Sequence, residues 1–139
     1  MRRVLTTIAS LLLVLFAAQP VTASPVSDFQ ARLAQTQWSI QSVEGMVRAQ
    51  RASSRAVATP EAIESFLELL AENVAALTAF SSAKVTTEQG RVIAEGIRST
   101  AGQLRDLSAM ISHRGFSGAA AETQRLEVNC RVALGEGEP

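Results

Sequence analysis

The sequence predicts an all-α protein, a small antiparallel four-helix bundle that follows a removable N-terminal leader. Three observations predict it. Apolar residues between Phe29 and Ala133 recur at three- and four-residue steps, the period that gathers them on one face of a helix. No segment alternates β-branched or aromatic residues with polar ones as a strand does, and tyrosine is absent. Helix-starting and helix-stopping residues divide the chain into four segments, at about 28–52, 60–82, 87–113 and 118–134.

The leader occupies Met1–Ala23. Arg2 and Arg3 give it a positive start, Val4 to Ala18 are mostly apolar, and Val21, Thr22 and Ala23 present small residues where a signal peptidase reads them. Cleavage leaves Ser24 as the first residue. A retained anchor is disfavoured because a span needs ~20 apolar residues, whereas Thr6, Thr7 and Ser10 interrupt this run. The expected location is therefore the periplasm or the medium, with membrane contact only through the leader during export.

Losing Arg2 and Arg3 leaves 11 basic residues against 13 acidic ones, a formal charge of −2 for residues 24–139. That balance argues against a nucleic-acid partner, whose phosphates are met by a strongly basic face. Residues 24–139 amount to one domain, long enough to bury about two-thirds of its unfolded surface. The single Cys130 forms no internal disulfide, so stability has to come from packing.

In the first segment Ser27 and Gln30 are spaced for a capping box, and Phe29, Leu33, Ile40, Val43 and Val47 form the apolar stripe. The second opens on Thr59 as cap and Pro60 at the first helical position, where its missing N–H costs nothing. Ile63, Phe66, Leu67, Leu70, Val74, Leu77 and Phe80 are its apolar face, and Glu61, Glu64, Glu68 and Glu72 its polar one. The third pairs Thr86 with Gln89 in a second capping box, carries Ile93, Ile97, Leu104, Leu107 and Ile111, and stops at Gly115. Gly90, Gly96 and Gly102 each cost roughly 1 kcal/mol inside it, a cost that close approach of a neighbouring helix would explain. The fourth has only a thin stripe of Leu126, Cys130 and Ala133, and Gly135–Pro139 reads as a frayed tail.

Four such helices joined by short loops bury their stripes as an antiparallel bundle, and the seven-residue steps favour crossing angles of about 20°. The alternative is a pairing of the first two helices that needs a partner to cover it.

No catalytic or cofactor pattern emerges. His113 is the only histidine and suits the negative end of its helix. One histidine and one cysteine make no zinc site, the C-x-x-C-H run of attached haem is missing, and no G-x-S-x-G elbow occurs. Neither metal nor cofactor is expected. Cys130 reads as a small buried residue, with an intermolecular disulfide as the next reading.

Two surface patterns remain. Trp38 falls away from the stripe of its own helix, and an amphipathic tryptophan there marks a binding surface or a wedge between helices. The face around Trp38 and Met46 is the first candidate for a protein partner or a second copy. Arginine supplies 12 of the 13 basic residues. Arg91, Arg98 and Arg105 repeat every seven residues, and Arg48, Arg51 and Arg55 form a second run. Guanidinium groups hold carboxylate or phosphate bidentately, so an arginine-lined cleft in a small helical enzyme or anion-binding protein is the alternative. The plainer reading is a solvated flank paired loosely with the glutamates of the second helix. The expectation is a non-catalytic exported protein acting by protein–protein interaction or self-association.

Overall fold

A computed structural model describes residues 24–52 and 60–136. The leader, Arg55, the Thr59 cap and the last three residues lie outside the described residues. Within them the chain is all-helical and bundle-like, with no strand. Helix α1 spans Pro25–Ala52, α2 Pro60–Thr78, α3 Thr87–His113 and α4 Ser117–Ala133.

The first helix starts earlier than the Ser27–Gln30 pairing predicts. Ser24 Oγ accepts from the Ser27 N–H at 3.1 Å, and Pro25 takes the first helical position, where its fixed φ is already helical. The proline decides the start, so Ser27 lies inside the helix instead of capping it. Helix α2 does not run to residue 82 as an α-helix, because Ala79–Ser82 tighten into a 3-10 turn, a common way to close a last turn. The capping box of α3 forms as its spacing predicts, with the Gln89 N–H donating to Thr86 Oγ1 at 3.2 Å and the Thr86 N–H to Gln89 Oε1 at 3.1 Å.

Helices α3 and α4 end alike. Gly115 has φ +90° and Gly135 φ +74°, the left-handed conformation that glycine adopts without penalty. Gly115 and Phe116 N–H donate back to Ser112 and Ile111 carbonyls at 3.0 and 3.2 Å, and Gly135 and Glu136 N–H to Val132 and Arg131, both at 2.9 Å. These are Schellman closures. The predicted frayed tail is thus corrected at Gly135 and Glu136.

Helix α1 packs on α2 and α3, and α4 packs on α3 and α2. Helices α2 and α3 therefore face each other across the core. Every predicted stripe residue of α3 is buried, with Phe29, Ile40, Val43 and Val47 from α1, Ile63, Leu67, Leu70, Val74 and Leu77 from α2, and Leu126 and Cys130 from α4. Leu33, Phe66 and Phe80 are half-buried against that core. Gly96 is the one glycine of α3 where a neighbouring helix comes close: a Cβ there would lie 2.5 Å from Phe29 Cζ. Around Gly102 a Cβ would meet nothing within 4 Å, and at Gly90 it would make only ordinary contact with Val85.

Polar residues also occupy the core. Thr36, Thr100 and Thr123 are fully buried, and each hydroxyl donates to the carbonyl four residues earlier, at 2.8, 2.9 and 2.8 Å. A threonine satisfied this way packs as a small apolar residue. Ser39 donates to the Gln35 carbonyl at 3.0 Å and accepts from Asn73 Nδ2 at 2.7 Å, tying α1 to α2. Ser108 Oγ donates to the Ala120 carbonyl at 3.0 Å and ties α3 to α4.

Candidate functional site

Trp38 lies on α1 about 200° around the helix from Thr36 and Ile40, by the 100° step of an α-helix. It is 59% exposed. A tryptophan offers up to about 250 Å², so roughly 150 Å² stays in water, worth ~4 kcal/mol at most if a partner covered it. Around it stand Ala31, Ala34, Gln41 and Gly45, all exposed, with Ser42 half-buried. From Ala31 to Gly45 the strip carries no charged residue, and the next step along it is the exposed Arg48. One of its hydroxyl groups bonds back to the helix, Ser42 Oγ donating to the Trp38 carbonyl at 2.8 Å. The outer face of α1 is accordingly less polar than its sequence suggests.

Met46 stands on the flank of this strip, half-buried and packed against the core. It borders the Trp38 face instead of sharing its centre.

The arginines go to separate places. Arg48 pairs with Glu44 at 2.6 Å and lines a groove of about 450 Å³ between α1 and α3 with Gln37, Gln41, Gln103 and Asp106. Two carboxylates against one guanidinium make that groove unsuited to an anion. Arg98 reaches Glu136, just past α4, at 3.0 Å. Arg91 and Arg105 are exposed and, among the described residues, have no ion pair. The side chain of Arg51, like the whole of Arg55, lies outside the described residues. The expected loose pairing with the α2 glutamates does not occur among the described residues, since α2 and α3 stand on opposite sides of the core.

A second groove, of about 540 Å³, runs between α2 and α4. Leu67, Ala71 and Ala119 line it, with Glu64 and Glu68 at its rim and Glu122 paired to Arg125.

Cys130 is fully buried. Burial pushes its thiol from 9.0 up to about 11, the Glu127 carboxylate adds to the rise, and Arg131 opposes it. A thiol so protected is neither a nucleophile nor accessible for an intermolecular disulfide. Glu127, not among the candidate residues read from the sequence, is buried at 9% exposure and held by Arg131 Nη2 at 2.9 Å and Nε at 3.0 Å. The signal for it was its four-residue spacing from Arg131. His113 is exposed in the last turn of α3. Among the described residues no three histidine, cysteine or carboxylate side chains are grouped to hold a metal, and no helix is long and apolar enough to cross a membrane.

Compared with protein-family models, with curated proteins and with solved structures, the chain matches none of them.

Proposed function

We propose that this is an exported protein, freed of Met1–Ala23, whose helices form an antiparallel four-helix bundle that acts without catalysis by binding a protein partner or itself through the outer face of α1. The observation that carries the reading is Trp38, 59% exposed on a face that carries no charge from Ala31 to Gly45. Desolvating that strip strands no ion, and large aromatic side chains in uncharged surroundings dominate binding energy at interfaces. The dispersal of the arginines supports a binder over an anion-binding cleft.

The antiparallel reading is supported by where the helices meet. Phe29 early in α1 stacks on Phe80 beyond the end of α2, while Ser39 meets Asn73 further back. Likewise Ser108, late in α3, meets Ala120, early in α4, whereas Arg98 meets Glu136. Export is supported by the leader pattern and by α1 starting at Pro25 with Ser24 as its cap, directly after the expected cut.

The test is affinity capture from the envelope fraction of the source cell with wild type and Trp38→Ala, the bound proteins being identified by mass spectrometry. Loss of the captured protein with Trp38→Ala is expected, and unchanged capture overturns the choice of surface. Intact mass of the exported protein starting at Ser24 is expected. A product that retains Met1 overturns the reading of the leader.

A further inference from the structure

We infer that the groove between α1 and α3 is a binding site for an uncharged sugar chain, held by free amide groups over an apolar floor. The site is separate from the Trp38 face and goes beyond the protein partner proposed for it.

The groove begins where the two helices stop touching closely. Phe29 of α1 rests on Gly96 of α3, where a Cβ would lie 2.5 Å from the ring. Further along the same two helices, the stretch from Gln37 to Arg48 and the stretch from Gln103 to Met110 line the opening of about 450 Å³. By the helical rise from Gln37 to Arg48 it is roughly 17 Å long.

Its floor and its walls differ in kind. Ile40, Leu107 and Met110 supply the apolar surface. Gln37 and Gln41 stand on the α1 side and Gln103 on the α3 side, and among the described residues none of these three side-chain amides makes a hydrogen bond. Asp106, exposed beside them, has no ion pair among the described residues. Glu44 is already neutralised by Arg48 at 2.6 Å.

This combination selects the ligand. A glutamine amide both donates and accepts, and so does every hydroxyl of a sugar, so two walls of amides suit a ring with hydroxyls along its edges. The C–H face of that ring is apolar and lies on the floor, as a site of apolar surface with a few convergent polar groups requires. The unpaired Asp106 carboxylate repels sugar acids and other anions. A polypeptide fits less well. An extended peptide docks by adding to a sheet edge and a helical one by sinking apolar anchors into a groove. No strand exists among the described residues, and Ile40 and Leu107 are only 5% and 3% exposed, a floor flat enough for a ring and too shallow for an anchor. Hydrogen bonds that compete with water in an open groove bind weakly, with a dissociation constant on the order of 0.1–1 mM.

Nitrogen–proton chemical-shift titration of the exported chain tests this, with cellohexaose, maltohexaose and chitohexaose as neutral probes and oligogalacturonate as the anionic one. The side-chain amide signals of Gln37, Gln41 and Gln103 are expected to shift saturably with at least one neutral probe and to ignore the anionic one. Gln41→Ala and Gln103→Ala should each weaken binding about 5-fold, and together remove it, while Gln124→Ala on the outside of α4 leaves it unchanged. These are exposed or half-buried helix positions, and circular dichroism confirms that each variant is folded.

Absence of any shift with all three neutral probes at about 10 mM overturns the site, as does tighter binding of oligogalacturonate. A capped oligoserine peptide that moves the same signals when no sugar does would make the occupant a polypeptide. Trp38→Ala is expected to leave sugar binding intact. Loss of sugar binding in that variant would put the sugar on the outer face of α1 and overturn the groove, whereas loss of protein capture alone concerns only the partner proposed above.

Discussion

Gly96→Ala and Gly45→Ala are the same chemical change in two helix interiors, and the structure assigns them opposite signs. An alanine gains about 1 kcal/mol over glycine inside a helix. At Gly45 nothing within 4 Å of the new Cβ opposes that gain, so the melting temperature should rise by about 4 °C for a domain of this size. At Gly96 the new Cβ would lie 2.5 and 2.6 Å from Phe29 ring carbons and 3.4 Å from Leu33 Cδ2. Ordinary carbon contacts begin at about 3.5 Å, so the ring must retreat by about 1 Å. Phe29 is fully buried and stacked edge-on against Phe80, with centroids 5.6 Å apart and planes at 74°. Overpacking costs about 1–3 kcal/mol, and disturbing the aromatic pair up to about 1 kcal/mol more. After the helix gain, a net loss of about 2 kcal/mol remains, or about 8 °C. Urea and thermal unfolding followed by far-ultraviolet circular dichroism, at concentrations too low for association, measure both. A Gly96→Ala variant as stable as wild type would refute the close approach of α1 to α3.

Two further outcomes follow from the buried polar groups. Cys130 keeps its proton in the folded state up to about pH 11, whereas an unfolded thiol releases it near 9.0. Between those values the folded state binds more protons, so its contribution is intact below pH 9.0 and is lost as pH rises to about 11, by ~3 kcal/mol at most. Urea midpoints across that window should fall for wild type and stay nearly level for Cys130→Ala, in a chain with no tyrosine to confuse the titration. An equal slope in both proteins would put the thiol in water. Ser39→Ala strands the amide of Asn73 and should cost about 1–3 kcal/mol, whereas Ser39→Ala with Asn73→Leu should recover most of it. Losses that simply add in the double variant would show that the two side chains do not depend on one another.

Much of the fold is legible in the sequence because the apolar steps are local. The α3 stripe, the Pro60 start, the Thr86–Gln89 box and the Gly115 stop all depend on residues within a turn or two of each other. Thr36, Thr100 and Thr123 escaped notice because a hydroxyl counts as polar, although Thr36 falls on the inner three-four seam of α1. What disarms these hydroxyls is a bond to their own helix, which periodicity does not register. The diagonal placement of α2 and α3 is a property of the assembled chain. From spacing alone the seven-residue row of Arg91, Arg98 and Arg105 reads as free to meet the glutamates of α2, and nothing local in the sequence joins Arg98 to its distant partner Glu136. For the site, Trp38 was legible as an outward tryptophan, while the neutrality of its surroundings also depends on Ser42 turning its hydroxyl back to the helix.

The two bonds that Ser39 makes with Asn73 and Ser108 with the Ala120 carbonyl act as pegs. Each pins one helix to the neighbour that follows it in the chain and sets how far along that neighbour it can slide. Between α1 and α3, and between α2 and α4, the described residues supply no such peg, and both of these joints have a groove along them. The domain is thus two halves each pegged by a hydrogen bond, and what keys one half to the other is steric, the Phe29 ring of α1 seated on Gly96 of α3. A shear of one half across the other would have to lift the Phe29 ring off Gly96, so that one contact sets the register of the two halves.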